Sequence, residues 1–411
     1  MLMSDIATVL AGLDSELGWI RETYTELHRN PELSLEEHRT STMIEAKLTA
    51  FGYSVSRIGG TGVVGVLPNG EGPTVLARAD MDALPVMEAT GLPYASTVDG
   101  VMHACGHDVH VSTLLGAAKL LAEGRGAWSG TYVALFQPAE EIGAGSQAMI
   151  DDGLTTKVPR PDVVFGQHVM PLPAGTVATT AGPVLSAADS LKIVVYGKGA
   201  HGSMPHMSVD PVVLAASIVV RLQSVVSRQV KPGDFAVVTV GALKAGTASN
   251  IIPDHATMLL NIRTYDPHVR STVLAAIERI VRGECSAAGT PREPEFEYYD
   301  QFPATSNDAA VTEGVRASFV VHFGADAVHD AQRQTASEDF SRIPDAFGAP
   351  YTFWLLGGAD PEEFQAAAAK GTVAKDIPAN HSPLFAPVMD PTLSMGVQAH
   401  VVSALSYLAA Q

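Results

Sequence analysis

Two kinds of apolar pattern alternate along the first part of this chain, and they predict different elements. Short, mainly apolar runs at 74–79, 131–137 and 162–166 predict strands that are buried on both faces. Helical patterns lie before and between them, and this alternation predicts an α/β fold with a mainly parallel sheet. The helical patterns cover residues 4–29, where apolar side chains recur every three or four positions, and residues 36–51 and 111–122.

The pattern changes near residue 187. Strand-like and helical segments then follow in the order strand, helix, strand, strand, helix, strand, which is typical of a ferredoxin-like α+β arrangement. The first pattern resumes after residue 300. We therefore predict a discontinuous domain of residues 1–186 and 301–411, with a second domain of residues 187–300 inserted into it. The segments of the inserted part are 191–196, 210–228, 235–241, 257–264, 267–288 and 295–299, and those of the returning part are 308–323, 351–356 and a helix from about 391.

Acidic and histidine residues follow the predicted parallel strands. Asp80 and Asp82 come at the end of the first strand, the pair Glu140–Glu141 follows the second, and His168 follows the third. The carboxyl ends of parallel strands meet at one edge of a sheet, where ligands usually bind. These side chains are therefore expected to share one site.

Residues 103–110, with the sequence HACGHDVH, carry the strongest chemical signal. Thiolate and imidazole are preferred ligands of zinc-like metals, so Cys105 and His107 are candidate ligands. A nucleophilic cysteine, or a buried cysteine in a histidine-rich loop, is the alternative. The neighbouring ligand types favour metal. Cys285 is the other of the two cysteines, so no disulfide framework exists and a reduced, cytoplasmic setting is expected.

Adjacent carboxylates can divide two tasks between them. One of Glu140 and Glu141 can bind a metal while the other acts as general base, although a solvated acidic turn is the alternative. His168 and His381 would each be unremarkable alone, as a core or loop histidine. Together with Cys105 they fit a site for two metals about 3.5 Å apart. Asp82 could orient a ligating histidine through the second ring nitrogen.

The inserted segment contributes weaker candidates. His201 and His206 lie in one loop and could be ordinary loop residues. Arg263 lies inside a predicted strand, where its guanidinium could bind a carboxylate or could keep an edge strand soluble.

Composition excludes several classes of function. The 411 residues are 46% hydrophobic and carry a net charge of −18 without a basic patch, so nucleic acid and anionic membranes are poor partners. We predict no signal peptide and no membrane span. Phosphate-binding, dinucleotide-binding and nucleophile-elbow motifs are absent from the sequence.

Several segments together resemble one family across nearly the full chain. It is the aminoacylase, hippurate hydrolase and carboxypeptidase-G type of metallopeptidase, and the chain is most similar to the amidohydrolase branch of N-acyl-L-amino-acid amidohydrolases and plant indole-acetyl-amino-acid hydrolases. The matching segments are LHRNPELS at 27–34, ADMDALP at 79–85, HACGHDVH at 103–110, FQPAEE at 136–141, Gln167-His168, GKGAHGSMPH at 197–206, SNIIPD at 249–254, SEDF at 337–340 and NHSPLF at 380–385.

The resemblance implies a role for each candidate. Cys105 would bridge two divalent metal ions, most suitably zinc, with manganese or cobalt as alternatives. The other ligands would be Glu141 and His381 for one metal and His107 and His168 for the other. Asp80 departs from the pattern, because other branches carry a histidine ligand there. The remaining implied roles are Glu140 as general base, Asp82 as support for a ligating histidine, His201 as an oxyanion donor in the partner subunit's site, and Asn250 and Arg263 as carboxylate-binding groups.

The resemblance also implies a lid role for the inserted domain and a homodimer, or a dimer of dimers, formed through it. The expected reaction is hydrolysis of the amide bond of N-acyl-L-amino acids. A dipeptidase or carboxypeptidase, a non-catalytic binder of amino-acid conjugates, and a cysteine-dependent hydrolase using Cys105 are the alternatives. The acyl group stays open, with Phe353 and Trp354 as candidates for its pocket.

Overall fold

The structure is a computed structural model, and it describes residues 2–408. The chain divides into two compact units. The first contains the residues up to 184, 306–332 and those from 339 onward, and the second contains residues 185–305 and 333–338. The helices are α1 Leu2–Leu10, α2 Leu13–Arg29, α3 His38–Ala50, α4 His107–Glu123, α5 Gly145–Asp151, α6 Leu154–Lys157, α7 Pro211–Gln229, α8 Pro267–Ala288, α9 Ala309–Phe323, α10 Arg342–Phe347, α11 Pro361–Lys370, α12 Val373–Asp376 and α13 Met389–Leu408.

The strands form one large sheet, one four-stranded sheet and two small pairs. Their bounds are β1 Ser54–Arg57, β2 Val63–Asn69, β3 Thr74–Asp80, β4 Gly130–Gln137, β5 Val163–Pro173, β6 Val177–Thr179, β7 Gly182–Leu185, β8 Ala187–Tyr196, β9 Ala200–His201, β10 Ala236–Ala245, β11 Ile251–Ile252, β12 His255–Thr264, β13 Glu295–Phe302, β14 Thr305–Asn307, β15 Val328–Asp330 and β16 Tyr351–Ala359.

The first unit is built on the eight-stranded sheet, in the order β1-β2-β4-β3-β5-β16-β6-β15. Its centre, β4-β3-β5-β16, is parallel, and antiparallel neighbours flank it. This confirms the predicted α/β class with a mainly parallel sheet. The central strands β3 and β4 are buried along nearly their whole length because helices cover the sheet, and α4 is itself almost entirely buried.

The second unit contains the four-stranded antiparallel sheet, in the order β10-β12-β8-β13. Its main elements follow the chain as β8, α7, β10, β12, α8 and β13, with the small β9–β11 pair between them. Burial alternates along β8 and β12 because one face of the sheet packs on α7 and α8. Asp210 and Asp266 cap these two helices, each accepting hydrogen bonds from backbone N–H groups of the first turn.

Four local predictions differ from the structure. The single helix over 4–29 is wrong, because the chain breaks at Ala11–Gly12 into α1 and α2. The strand predicted to end before His168 runs on to Pro173, so that histidine lies within β5. Helix α4 begins at His107 and not at 111. Residues 333–338 belong to the second unit, where Ser186 donates to the Thr335 carbonyl at 2.8 Å.

One helix departs from the expectation that no segment could span a membrane. Over residues 2–408, α7 alone has the length and hydropathy of a span. It nevertheless buries one face, including Leu214, Ile218 and Leu222, in the core of the second unit.

Candidate metal centre

Three parallel strands and one helix of the first unit bring the site together. β3 ends in Asp80 and leads to Asp82, β4 leads to the Glu140–Glu141 pair, and His168 lies on β5. The start of α4 packs against β5 so closely that a Cβ at Gly106 would lie 2.3 Å from a Val169 methyl carbon. With φ at +83°, only glycine fits this position, and the close approach sets Cys105 and His107 beside the strand ends.

The first group of ligand atoms comes from Cys105, Glu141 and His381, which offer atoms within 4.8 Å of one another. His381 Nε2 lies 3.4 Å from Glu141 Oε2. The Cys105 sulfur also lies 3.5 Å from His168 Nε2. The sulfur is therefore close both to His168 and to the Glu141–His381 pair.

The second group surrounds His107. Its Nε2 atom lies 3.8 Å from Glu141 Oε1, and both atoms are buried without a hydrogen-bond partner among residues 2–408. A carboxylate oxygen of Glu140 lies within 4.8 Å of this pair, and Glu140 is 5% exposed. Buried polar atoms without partners are costly, so their convergence calls for a bound group.

Two candidate ligand histidines, His107 and His168, are each oriented through their second ring nitrogen. His107 Nδ1 lies 3.2 Å from Asp82 Oδ1, and His168 Nδ1 donates to the Val169 carbonyl at 2.8 Å. Each ring thus directs Nε2 into the site, as metal-binding histidines do. Burial raises the pKa of Asp82, but hydrogen bonds from His107, Ser34 and the Glu141 amide outweigh it and hold the pKa below its usual value. Asp82 is therefore ionised and holds the imidazole in place.

His110 is a part of the site that the sequence analysis did not single out. Val169 N–H donates to its Nε2 at 2.8 Å, so the ring hydrogen is on Nδ1, which bonds Asp80. Both ring nitrogens are therefore occupied, and His110 cannot bind metal in this arrangement. Its position three residues after His107 on a helix is the signal that places both on one face.

The backbone of Val169 joins several of these groups. Its N–H donates to His110, while its carbonyl accepts from His168 and, at 3.2 Å, from Asn380 Nδ2. Asn380 Nδ2 also lies 3.7 Å from the Cys105 sulfur. The backbone of one residue thus links the surroundings of His168 and Cys105.

The Asp80 carboxylate forms an ion pair with a buried arginine. Arg78 Nη1 donates to Asp80 Oδ2 at 2.7 Å, and the Arg78 side chain is 1% exposed. Burial raises the pKa of Asp80, but the charges of His107 and Arg78 and the bond to His110 lower it well below its usual range. The Asp80 carboxylate is therefore ionised and bound to Arg78 and His110.

Backbone strain is concentrated beside this centre. Among residues 2–408, four non-glycine residues have positive φ, and three of them are Leu35, Ala139 and His381. Leu35 follows Ser34, Ala139 precedes Glu140, and His381 is itself a candidate metal ligand. Such conformations cost about 1–3 kcal/mol each and are typical of functional sites.

The remaining candidates lie in the second unit. His201 Nδ1 accepts from Ser203 N–H at 3.1 Å, so a neutral ring carries its hydrogen on the exposed Nε2 atom. Asn250 lies beside it, because Gly202 N–H donates to the Asn250 carbonyl. Both residues line a cavity of about 970 Å³. His206 is exposed in a short turn of the same loop.

Arg263 lies on β12, an interior strand of its sheet, so the edge-strand alternative is wrong. Its Nε atom donates to Asn261, and Nη1 donates to Ser337 Oγ at 2.5 Å. The guanidinium is half-buried and oriented by neutral groups. The acyl-pocket candidates Phe353 and Trp354 are fully buried in the core of the first unit, so that expectation is wrong.

Comparison with known proteins gives the family. The model of peptidase family M20/M25/M40 matches residues 76–376. The chain belongs to this family. Thermostable carboxypeptidase 2 of Saccharolobus solfataricus is 38% identical over 395 residues, which cover 95% of each chain. Hippurate hydrolase of Campylobacter jejuni is 45% identical over 265 residues, covering 64% of this chain and 68% of the relative.

A solved relative agrees with the site chemistry. A dinuclear metal-binding peptidase of the M20 family from Bacillus subtilis aligns with a TM-score of 0.78 and 30% identity, over 95% of this chain and 98% of the other. The protein is accordingly a metal-dependent amidohydrolase. The unpartnered His107 and Glu141 atoms, with the Cys105 sulfur 3.5 Å from His168 Nε2, fit a bound metal.

Proposed function

We propose that the protein hydrolyses the amide bond of N-acyl-L-amino acids and releases a carboxylate and a free amino acid. The observation that carries this proposal is the Cys105 sulfur close to His168, Glu141 and His381, with a Glu140 carboxylate oxygen within 4.8 Å of ligand atoms of His107 and Glu141. Two ions, best zinc and otherwise manganese or cobalt, would be held by Cys105 as bridge, by Glu141 and His381, and by His107 and His168. When bound, they would supply Lewis-acid activation of water and of the acyl carbonyl.

Glu140 is the general base in this proposal. It takes a proton from the attacking water as the new carbon–oxygen bond forms, and it gives that proton to the amide nitrogen as the carbon–nitrogen bond breaks. Its near-complete burial keeps the carboxylate beside His107 and Glu141. Asp82 holds the His107 ring throughout this cycle.

The residues of the second unit would bind and polarise the substrate. The exposed Nε2–H of His201 suits an oxyanion, and Arg263, with Asn250, suits the free carboxylate of the amino acid. The lid role of residues 187–300 is part of the proposal. The buried side chains of α7, α8 and the four-stranded sheet form one hydrophobic cluster, so this unit has its own core.

A homodimer through the second unit, or a dimer of dimers, is also proposed. Strand β10 is the outer strand of its sheet, and Val237 and Leu243 are exposed on it. The neighbouring helix α7 exposes Val213 and Val220. An outer strand beside apolar side chains is a surface that proteins usually cover, and a second copy would do so.

A cytoplasmic location is also part of the proposal. The two cysteines are free and buried, which suits a reducing compartment.

A carboxypeptidase activity is the second candidate, because a relative covering 95% of both chains carries that name. A non-catalytic binder of conjugates would have no use for a buried base such as Glu140. A cysteine nucleophile is disfavoured because the Cys105 sulfur is surrounded by candidate metal ligands.

Release of amino acid from a panel of N-acyl-L-amino acids and dipeptides tests the proposal. We expect release from the acyl compounds that a chelator abolishes and added Zn²⁺, Mn²⁺ or Co²⁺ restores. Faster cleavage of the peptides would move the assignment to a peptidase. Release that a chelator does not affect would favour the cysteine nucleophile.

A further inference from the structure

A buried carboxylate, that of Glu37, holds the turn that carries Glu140. Ala139 N–H donates to Glu37 Oε1 at 2.8 Å, and the Glu37 side chain is fully buried. The Ala139 carbonyl accepts in turn from the N–H groups of Ala144 and Gly145, at 3.2 and 3.1 Å. Both polar backbone groups of Ala139 are therefore bonded, and the residue before Glu140 is held in one orientation.

The same Glu37 oxygen accepts a second backbone hydrogen bond. Leu35 N–H donates to Glu37 Oε1 at 3.0 Å. Leu35 and Ala139 have φ angles of +69° and +47°, so both of these donors belong to residues with a strained backbone. Such conformations persist only where the surrounding structure imposes them. One carboxylate oxygen therefore stabilises two strained residues, one of them directly before Glu140.

Capping of the adjacent helix does not account for this carboxylate. Glu37 occupies the N-cap position of α3, yet its side chain makes no capping hydrogen bond. Glu32 accepts instead from the N–H groups of Arg39 and Thr40, at 2.9 and 2.8 Å. These are the bonds that an N-cap side chain ordinarily accepts. The Glu37 carboxylate is therefore used for the turn of Glu140 and not for its own helix.

The second Glu37 oxygen is bonded to a side chain on another segment. Thr61 Oγ1 donates to Glu37 Oε2 at 2.5 Å, and Thr61 is buried. This bond fixes the far side of the carboxylate but does not touch the turn of Glu140. The two oxygens thus have separable tasks, which substitutions can distinguish.

Two other buried carboxylates bond the same turn. Asp82 accepts from Glu141 N–H at 3.1 Å, and Asp339 accepts from Ser146 N–H at 3.2 Å and from Ser146 Oγ at 2.7 Å. Asp82 also orients a candidate ligand ring, and Asp339 lies within ion-pair distance of a buried arginine. Substituting either would disturb more than the turn. The donors to Glu37 are backbone amides and a hydroxyl, so its substitution acts more selectively.

We propose that Glu37 is a positioning residue for the reaction and directs the Glu140 carboxylate through the backbone of Ala139. The inference rests on the proposed function, in which Glu140 is the general base. Without Glu37, the buried Ala139 N–H loses its acceptor, and its residue can relax from positive φ. Glu140 then moves away from the water that it must deprotonate, whereas the substrate-binding candidates of the second unit are unchanged. The chemical step should slow while substrate binding stays the same.

Steady-state kinetics of Glu37→Ala and Glu37→Gln test this role, with the N-acyl-L-amino acid that the parent cleaves fastest. We expect kcat of Glu37→Ala to fall by about 10–100-fold with KM almost unchanged, since a displacement of about 1 Å can cost about 10²-fold. Glu37→Gln keeps an oxygen that can accept from Ala139 and Leu35, so it should recover most of the loss. Metal content should equal that of the parent, because Glu141 is held separately through Asp82.

Thr61→Val is the matched control, because it removes the bond to Oε2 and leaves both bonds to Oε1 in place. It should lower the melting temperature and leave kcat unchanged. If Glu37→Ala does not fold, Glu37→Asp takes its place, since the shorter side chain draws the carboxylate away from Ala139.

Three results would overturn the positioning role while the amidohydrolase function stands. They are a parent-like kcat in Glu37→Ala or Glu37→Asp, loss of metal from that variant, and a kcat that Glu37→Gln does not recover or that Thr61→Val lowers equally. Failure of the metal-loaded parent to release amino acid from any N-acyl compound would instead overturn the proposed function itself.

Discussion

The two units hold their candidate residues in opposite ways. In the first, Cys105, His107 and Glu140 are buried, and hydrogen bonds such as those of Asp82 determine the orientation of each ring. In the second, His201 and Asn250 are exposed, and the contacts that hold them are short-range ones within their own loop pair.

This difference separates two requirements of the chemistry. Metal ligands must be placed before the ions arrive, and burial in a fixed network provides that preorganisation. Groups that bind a substrate must be accessible, so they can stay exposed until the substrate orders them. Substitutions of the candidate metal ligands and of the groups that orient them should therefore change metal binding or stability, whereas those in the second unit should change substrate binding or turnover.

The largest effect is expected at Glu140. Glu140→Gln removes the base but keeps the size of the side chain, so kcat should fall by roughly 10²–10⁴-fold while metal content stays normal. Glu141→Gln is the matched control on the neighbouring residue and should lose metal as well. Atomic absorption and steady-state kinetics measure both. Substantial turnover by metal-loaded Glu140→Gln would rule out the base assignment.

His201 should give the next largest loss. His201→Ala removes an oxyanion donor and should lower kcat by about 10²–10³-fold, with little change in melting temperature because the side chain is exposed. His206→Ala, in the same loop, should behave like the parent. If His201 acts across a dimer, mixing His201→Ala with Arg263→Ala should restore part of the activity. No restoration between exchanging subunits would indicate that His201 and Arg263 act within one chain.

His110 offers a smaller and more specific test. His110→Gln retains an acceptor for Val169 N–H, whereas His110→Asn retains the contact to Asp80 and loses that acceptor. If the backbone of Val169 orients His168, the Asn variant should lose about 10–100-fold in metal affinity and the Gln variant should lose less. Calorimetric metal titration separates them. Equal affinities in the two variants would contradict this positioning role.

His28 should affect stability and its pH dependence. The ring is fully buried between Asp108, at 2.6 Å, and Glu88. Burial lowers the pKa of His28, but the hydrogen bond and charge of Asp108 outweigh it and raise the pKa above the ordinary value. This contribution to stability is therefore complete below the unfolded pKa and is lost as pH rises through the folded pKa.

His28→Gln should accordingly destabilise the protein by about 3–5 kcal/mol at pH 6, and by less at pH 9, where a smaller fraction of the parent rings is protonated. Denaturant unfolding at the two pH values measures the difference. In the surface variant His38→Gln, the loss of stability should be small at both pH values, because His38 and its partner Glu36 are both exposed. An equal loss at both pH values would show that His28 is not charged at pH 6.

The sequence pattern was most informative where strands end. Apolar runs followed by Asp82 or Glu140–Glu141 predicted side chains at one sheet edge, because that outcome depends only on strand direction. Contacts across the fold could not be predicted in the same way. The Val169–His110 bond and the place of Ser337 beside Arg263 depend on how distant segments pack. Helix periodicity also continued through Gly12, although the chain breaks there.

The central claim is a two-metal centre bridged by the Cys105 thiolate, and a Co²⁺ titration of metal-free protein tests it most directly. We predict saturation at two ions per chain, with a sulfur-to-cobalt charge-transfer band that grows over both equivalents. Cys105→Ser should lose that band. Saturation at one ion, or a full spectrum without the thiolate band, would contradict the account.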